Sequence, residues 1–430
     1  MSLGYLSGFG NEHATEAVPG SLPVGQNSPQ KCPFGLYAEQ VSGTAFTAPR
    51  GQNRRSWLYR MRPSVAHGTY EPVVNQNVTG DFTAVNSVLS PNQLRWFPPP
   101  LPKVSRADGG FAEPVDWLSG LVTVAGSGSA ERKDGLAIHM YSCNIPMLRT
   151  AFYNADGEML VVPQEGALRV QTEMGLMDVT PGEIFVIPRG IKFSVSPTQP
   201  SRGYVMEVFK GHFQLPELGP LGANGLANAR DFLYPVASFQ DLEVDYVTVC
   251  KFGGSFFSSL QHHSPFDVVA WHGNYAPFKY DLARFNVVNS VSFDHPDPSI
   301  FTVLTVPGEG AAGVALADFV IFPPRWMVAE HTFRPPWFHR NCMSEFMGMV
   351  WGKYDAKVGF QPGGASLHSI MTPHGPDAVT CAKASSATLS PEKFDAGLAF
   401  MFESSCFLRV SRFAMDAPWR DTEYQKCWKG

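Results

Sequence analysis

The histidines of this chain are concentrated in one part of its second half. Eight of the twelve lie in the 113 residues from His262 to His374, where even spacing would place about three. Imidazole is the commonest metal-binding side chain, and its charge changes near neutral pH. Metal binding or proton transfer is therefore expected in this region.

Two short motifs in this region can supply a set of metal ligands. His339 and Glu345 are six residues apart in H-R-N-C-M-S-E, and His374 follows 29 residues later in T-P-H-G-P. Side chains alternate between the two faces of a β-strand, so residues an even number apart point to the same side. His339, Asn341 and Glu345 can therefore face one barrel interior if no bulge intervenes. His374 can join them from a neighbouring strand or loop.

Two imidazoles and one carboxylate form a ligand set that favours non-haem Fe(II). Three protein ligands on one face leave up to three open positions, enough for a chelating substrate and dioxygen. Structural roles are the alternative, because a single histidine in a β protein can simply be hydrogen-bonded and the H-x5-E spacing can arise by chance.

Other residues of this region are expected to be structural. His262 and His263 precede a Ser-Pro turn signal. For His272 both roles stay open, with the structural one favoured. Cys342 has no cysteine near it in the sequence and is expected to be a plain buried thiol.

The elements that position these residues are expected to be mainly β-strands. Gly and Pro account for 40 and 36 of the 430 residues, and both interrupt helices. The hydrophobic content of 44% is sufficient for a buried core. Three β-type runs, 158–163, 167–172 and 183–188, are separated by turns, whereas residues 391–402 are among the few with helical periodicity.

Charge and cysteine content indicate a cytoplasmic protein that binds neither nucleic acid nor membranes. Lys and Arg number 33 against 38 Asp and Glu, a formal net charge of −5, whereas binders of nucleic acid carry a basic face. The N-terminus lacks the features of a secretory signal, and no apolar run reaches the roughly 20 residues of a membrane span. The seven scattered cysteines, without CxxC spacing, are expected to be reduced thiols.

The third β-type run carries a motif that resembles the cupin superfamily. Residues 182–193 read G-E-I-F-V-I-P-R-G-I-K-F, which fits the second cupin motif, G-x5-P-x-G-x2-H, except that Phe193 replaces the metal-binding histidine. The preceding run has no His-x-His between Leu160 and Thr172, so we expect a metal-free cupin-like sandwich here. In the second half, Asn341 replaces the second histidine of the first cupin motif, His-x-His-x3-Glu, which leaves a more open, three-ligand site.

Longer strings over essentially the whole chain resemble the homogentisate 1,2-dioxygenase family of this superfamily. They are Y-L-S-G-F-G-N-E at 5–12, F-T-A-P-R at 46–50, V-S-F-D-H at 291–295, F-R-P-P at 333–336, H-R-N-C-M-S-E at 339–345 and M-T-P-H-G-P-D at 371–377. The resemblance implies a mainly β fold of cupin-like β-sandwich or jelly-roll type, in two domains. Residues 1–280 would form a large, metal-free N-terminal domain with an extended arm, and residues 281–430 a smaller C-terminal cupin domain carrying Fe(II).

The resemblance also implies roles for individual residues. His339, Glu345 and His374 would bind Fe(II), and His295 would be the active-site acid or base. Tyr354 would contact the substrate, and His374 would lie close enough to touch it as well.

The reaction that the resemblance implies is ring cleavage of homogentisate by dioxygen to 4-maleylacetoacetate, a step in the breakdown of tyrosine and phenylalanine. A homohexamer built from two trimers is implied as well. Two alternatives stay open. One is an oxygenase of the same metal type that acts on another hydroxylated aromatic acid, such as gentisate, and the other is a non-enzymatic cupin that binds or stores a ligand.

Overall fold

β-Strands are the main elements of the chain. The computed structural model describes residues 3–75, 77–103, 113–217, 225–288, 293–294, 301–309, 314–327 and 330–429. Its strands are β1 Tyr5–Ser7, β2 His13–Glu16, β3 Tyr37–Ser42, β4 Arg55–Arg60, β5 Glu71–Val73, β6 Ser87–Val88, β7 Leu94–Trp96, β8 Leu121–Ser129, β9 Asp134–Cys143, β10 Thr150–Asn154, β11 Glu158–Glu165, β12 Leu168–Thr172, β13 Gly175–Val179, β14 Glu183–Ile187, β15 Phe193–Pro197, β16 Ser201–Val208, β17 Phe232–Pro235, β18 Tyr246–Phe252, β19 Ser255–Gln261, β20 Val268–Gly273, β21 Phe278–Asp281, β22 Thr302–Pro307, β23 Ala315–Phe322, β24 Arg325–Met327, β25 Ser344–Gly352, β26 Ala365–His368, β27 Glu392–Phe394, β28 Gly397–Ser404 and β29 Arg409–Ser411. The α-helices in these ranges are α1 Ala378–Ser386 and α2 Arg412–Asp416.

The strands form sheets of ten, seven, six, four and two strands. The ten-stranded sheet has the order β1-β17-β21-β14-β11-β16-β9-β8-β29-β6, and the seven-stranded sheet has the order β13-β12-β15-β10-β18-β19-β5. The six-stranded sheet is β22-β23-β28-β25-β26-β7, the four-stranded sheet is β2-β20-β4-β3, and β24 pairs with β27. The prediction of a mainly β fold is confirmed. No helix within the described ranges combines the length and the apolar character that a membrane span needs.

An apolar core surrounds the run that resembles the second cupin motif. Phe193 begins β15, and its fully buried ring lies 5.5 Å from the ring of Phe152 and 5.6 Å from that of Trp117. Leu160 of the ten-stranded sheet and Val170 of the seven-stranded sheet belong to the same buried cluster. At the position of the cupin histidine, this chain thus has an aromatic ring that packs the core and offers no metal-binding atom.

Two short strands tie the early and late parts of the chain together. β7 pairs with β26 at the edge of the six-stranded sheet, while β29 pairs with β8 and β6 in the ten-stranded sheet. Trp96 of β7 is buried, and its indole N–H donates to the carbonyl of Ala414 at 2.9 Å. Each part therefore completes a sheet built mainly by the other, and the division of the chain at residue 281 stays a prediction.

The helical prediction for residues 391–402 is wrong. This segment contains β27 and most of β28, and β28 pairs with β23 on one side and β25 on the other. All eight residues of β28 are buried, so the strand shows no polar alternation in its sequence. An apolar run that is buried on both faces cannot be distinguished from a helix by periodicity.

Candidate metal centre

The three candidate ligands lie on one extended hairpin. β25 pairs with β26 so that Glu345 lies opposite His368. Six residues before Glu345 and six after His368, in the same register, His339 and His374 form an isolated antiparallel bridge. Its two backbone hydrogen bonds are 2.9 Å, from the His339 N–H, and 3.1 Å, from the His374 N–H. Backbone pairing therefore brings the two histidines together and sets Glu345 near both.

The ligating atoms of these side chains point at one another. Nε2 of His374 lies 3.0 Å from Oε2 of Glu345, and Nε2 of His339 lies 3.4 Å from Oε1. Each ring donates its Nδ1–H to the carbonyl two residues earlier, that of Trp337 or of Thr372, at 2.9 Å. Both Nε2 lone pairs thus face an anionic carboxylate, an arrangement that needs a cation, either a proton on an imidazole or a metal ion.

Contacts with two histidines keep Glu345 in its charged, metal-binding form. Burial alone would raise the pKa of Glu345, but its contacts with His339 and His374 hold that pKa well below the usual value. The contact with Glu345 also raises the pKa of His339. All the candidate ligand atoms of the three residues lie within 4.8 Å of one another. The donor set therefore fits a transition metal, which imidazole nitrogen and carboxylate oxygen both suit.

Asn341 does not continue a strand from His339 to Glu345. Its Oδ1 accepts a hydrogen bond from the backbone N–H of Met343 at 3.0 Å, a local turn, and β25 begins only at Ser344. Its Nδ2 donates to Oε1 of Glu345 at 2.9 Å and to Oε1 of Glu403 at 3.0 Å. The continuous strand assumed from alternation is thus absent from this segment, and Asn341 orients the carboxylate of Glu345.

Ionisable side chains form a row across the six-stranded sheet at the position of Glu345. Asp318, Glu403, Glu345 and His368 are successive cross-strand partners on β23, β28, β25 and β26. Burial, together with Glu345 and Asp318, raises the pKa of Glu403 to about 8. At neutral pH Glu403 is therefore mainly protonated, so the neighbour of Glu345 on β28 is a neutral carboxyl group.

Tyr354 and His295 are the predicted functional residues outside the ligand set, and Tyr354 lies within the described residues. The ring of Tyr354 packs against Phe322 and Phe360, with centroid distances of 6.3 and 5.8 Å. Burial, with Asp355 and Glu345 nearby, raises the pKa of Tyr354 well above its usual value, so its hydroxyl keeps its proton. His295 lies outside the described residues.

The sequence did not predict a role for His368, which contacts the triad formed by His339, Glu345 and His374. Its ring stacks on His374 at a centroid distance of 4.4 Å and an interplanar angle of 7°. The register that pairs His368 with Glu345 is the signal that could have identified it. His272 lies elsewhere, with Nε2 3.2 Å from the hydroxyl of Tyr59. Cys342 is exposed, so the expected buried thiol is wrong.

Solved structures similar to this chain share little of its sequence. One is protein YlbA from E. coli, at 7% identity and a TM-score of 0.31, covering 75% of this chain and 94% of that one. Another is a mutant of Bacillus subtilis oxalate decarboxylase OxdC, at 12% identity and a TM-score of 0.29, covering 73% and 90%.

Relatives in sequence are much closer. A Caenorhabditis elegans protein named homogentisate 1,2-dioxygenase is 57% identical over 433 residues, which cover 99% of this chain and 96% of that protein. The family models described as homogentisate 1,2-dioxygenase N-terminal and C-terminal match residues 4–282 and 283–430. With a His-Glu-His cluster in the part that the second model matches, and similarity along the whole length, the chain belongs to the homogentisate 1,2-dioxygenase family.

Proposed function

We propose that this chain is an iron-dependent homogentisate 1,2-dioxygenase that converts homogentisate and dioxygen to 4-maleylacetoacetate in tyrosine and phenylalanine catabolism. The observation that carries the proposal is the convergence of His339, Glu345 and His374 in a chain of this family. The same convergence argues against a ligand-storing cupin, which has no need of a three-ligand centre with open positions.

Fe(II) suits the donor set better than the alkaline-earth ions do. Mg²⁺ and Ca²⁺ prefer sites made of oxygen ligands, whereas this centre offers two imidazole nitrogens and one carboxylate. When bound, Fe(II) would supply open positions for substrate and dioxygen and would lower the pKa of a bound phenol. His339 and His374 would hold it through Nε2, and Glu345 would hold it through its charged carboxylate.

The remaining residues would position homogentisate and move its proton. Homogentisate is a hydroquinone with an acetate arm, so it presents a hydroxyl and a carboxylate to the site. Tyr354 would donate a hydrogen bond to a substrate oxygen, since its raised pKa keeps the phenol neutral. His295 would accept the phenolic proton, because an imidazole titrates near neutral pH. His374 lies at the centre and would also touch the bound substrate.

Oxygen uptake tests the proposed activity. The purified chain is loaded anaerobically with Fe(II), its iron content is measured, and homogentisate is added in air. We expect oxygen consumption with 4-maleylacetoacetate as the product, and no comparable consumption with gentisate. Iron-loaded protein that consumes no oxygen would contradict the proposal. Oxygen consumption with gentisate alone would indicate an oxygenase that acts on gentisate instead. Protein that cannot be loaded with Fe(II) would favour a non-enzymatic cupin that binds or stores a ligand.

Replacing His295 with alanine is expected to separate metal binding from turnover. Because His295 is proposed to carry a proton and not to bind the metal, His295→Ala should keep its iron and lose about 100-fold or more in kcat, the usual size of general acid–base catalysis. Iron content and oxygen uptake are measured on the same sample. An iron-loaded variant with full activity would show that His295 has no such role.

The assembly and location belong to the same proposal. We infer a cytoplasmic homohexamer of two trimers, with a metal-free N-terminal domain up to about residue 280 and the iron-carrying domain after it. The support is the family itself, the seven free cysteines, and large apolar side chains such as Val24, Phe46 and Phe252 that lie exposed on the single chain. Light scattering should give a mass six times the 47.1 kDa of the chain.

A further inference from the structure

A lysine is buried near the candidate metal centre, and no carboxylate of the described part of the chain forms an ion pair with it. Lys357 is 7% exposed, and its Nζ donates to the hydroxyl of Tyr424 at 2.8 Å and to Nε2 of His368 at 3.0 Å. Neither partner is an anion, and burial lowers the pKa of Lys357 to about 8. A buried cation without an ion pair destabilises a folded protein, so a contribution to function is a reason for its presence.

Hydrogen-bond contacts hold one edge of the His368 ring. Nε2 of His368 lies 3.0 Å from Nζ of Lys357 and 2.9 Å from the hydroxyl of Tyr424, and that hydroxyl accepts from Lys357 at 2.8 Å. The three groups form a closed cluster, and the His368 ring is itself buried. A rotation of the ring would break these contacts, so the cluster fixes its plane.

His368 in turn limits the orientation of His374. The rings of these two residues stack almost in parallel, 4.4 Å apart, and the ring of His339 lies 4.3 Å from that of His374 at an angle of 62°. A rotation of the His374 ring would collide with one of its two neighbours. The plane that directs Nε2 of His374 at Glu345 is thus maintained by packing as well as by the Nδ1 hydrogen bond to Thr372.

Tyr424 is itself held firmly, although it lies close to the end of the chain. It begins a 3-10 helix, Tyr424–Trp428, and its ring lies 4.5 Å from the guanidinium of Arg95 on β7. Arg95 also binds Asp421 through a 3.1 Å ion pair. The C-terminal segment is therefore fixed to a strand from the early part of the chain, with the Tyr424 hydroxyl directed at Lys357 and His368.

We propose that Tyr424 and Lys357 are positioning residues for the metal centre: they fix the ring plane of His368, which holds His374 in the orientation that binds the metal. The proposal deepens the proposed function and rests on metal binding at the triad. It assigns a role to the C-terminal segment, which within the described ranges makes no hydrogen bond to any of the three ligands.

The test compares two variants with the wild-type chain. Tyr424→Phe removes only the hydroxyl, and Lys357→Met removes the charge but keeps the length of the side chain. Fe(II) affinity is measured by competition with a chelator, and the visible absorption of the Co(II)-loaded protein reports the geometry of the ligands. Thermal unfolding of the metal-free chain is followed separately. Tyr280→Phe is the matched control, because the Tyr280 hydroxyl is buried and has no hydrogen-bond partner among the described residues.

We expect both variants to bind Fe(II) at least about tenfold more weakly than wild type and to show a changed Co(II) spectrum, as loss of an outer partner does at other metal sites. The metal-free Lys357→Met chain should unfold at the wild-type temperature or above it, since an unpaired buried charge is gone. A lower unfolding temperature of this chain would mean that Lys357 is structural and would overturn its positioning role. Tyr280→Phe should match wild type in affinity and spectrum.

Two further results would overturn the proposal, and they differ from each other. Wild-type affinity and an unchanged Co(II) spectrum in both variants would overturn the positioning role and leave the proposed function intact. A wild-type chain that binds neither Fe(II) nor Co(II) would overturn the proposed function, and the positioning role with it.

Discussion

Glu345→Gln is expected to lose its iron and to reduce oxygen uptake with homogentisate by more than about 100-fold, the upper range for loss of an outer partner alone. Glutamine has nearly the same shape as glutamate but no negative charge. The depressed pKa of Glu345 means that the native side chain is charged at neutral pH, and both histidine Nε2 atoms face that charge. Without that negative charge, only the two neutral imidazoles remain as good metal ligands.

Glu403→Gln is the matched control for this prediction. Glu403 is the cross-strand neighbour of Glu345 and shares the Asn341 amide with it. Because its pKa of about 8 leaves Glu403 mainly protonated at neutral pH, the substitution changes little charge. Iron content by elemental analysis and oxygen uptake are measured for both variants. Stoichiometric iron in Glu345→Gln, or equal iron loss in both, would contradict the assigned role of Glu345.

The candidate ligands could be predicted from sequence because their spacing reflects a hairpin register. His339 precedes Glu345 by six residues, and His374 follows its partner His368 by the same number, so the two histidines meet wherever Glu345 and His368 pair. The even spacing also predicted that His339 and Glu345 point to the same side, and their side chains do meet, even though a turn at Asn341 interrupts the assumed strand.

The groups around the ligands could not be predicted, because they depend on pairings between distant strands. Tyr424 meets His368 through a C-terminal segment that no local pattern connects to β26, and Lys357 lies in the irregular connection between β25 and β26. Glu403 belongs to the row only because β28 lies between β23 and β25. The sequence of β28 is uniformly apolar apart from its end, and its burial on both faces removed the alternation that identifies a strand.

The side chains around Phe193 differ in character from those around the candidate metal ligands. Phe193 occupies a metal-ligand position of the cupin motif with a ring that packs against Phe152 and Trp117, and the surrounding core is apolar. In the second half, the polar row of the six-stranded sheet surrounds the ligands with partners that set their charge.

Lys251→Met is expected to destabilise the chain by about 3–5 kcal/mol, the usual effect of removing one partner from a buried ion pair. Nζ of Lys251 lies 2.7 Å from Oε1 of Glu207 and 2.8 Å from Oδ2 of Asp156, and all three side chains are buried. His139, fully buried as well, binds the second oxygen of Glu207 at 3.0 Å. Methionine fills most of the space but leaves two carboxylates without their cation.

The pKa of Glu207 predicts how the destabilisation caused by Lys251→Met changes with pH. Burial alone would raise the pKa of Glu207, but Lys251 and His139 lower it from 4.5 to about 2. In the wild-type chain the resulting stability is fully present above pH 4.5 and is lost as the pH falls toward 2. In Lys251→Met, burial without the cation should raise the pKa of Glu207, so protonation in mild acid relieves the unpaired charge. The free-energy difference between variant and wild type should therefore be largest at neutral pH and shrink as the pH falls.

Denaturant unfolding at about pH 7 and about pH 4.5 measures both quantities, with Lys393→Met as the control. Lys393 is more than half exposed, and its ion pair with Asp395 has a length of 3.9 Å, so its loss should change the free energy of unfolding by less than about 1 kcal/mol. A similarly small effect of Lys251→Met, or a large one that does not depend on pH, would mean that the buried carboxylates do not rely on Lys251 for their charge. The expected result instead makes Lys251 the cation that allows a charged carboxylate pair inside an otherwise apolar sandwich.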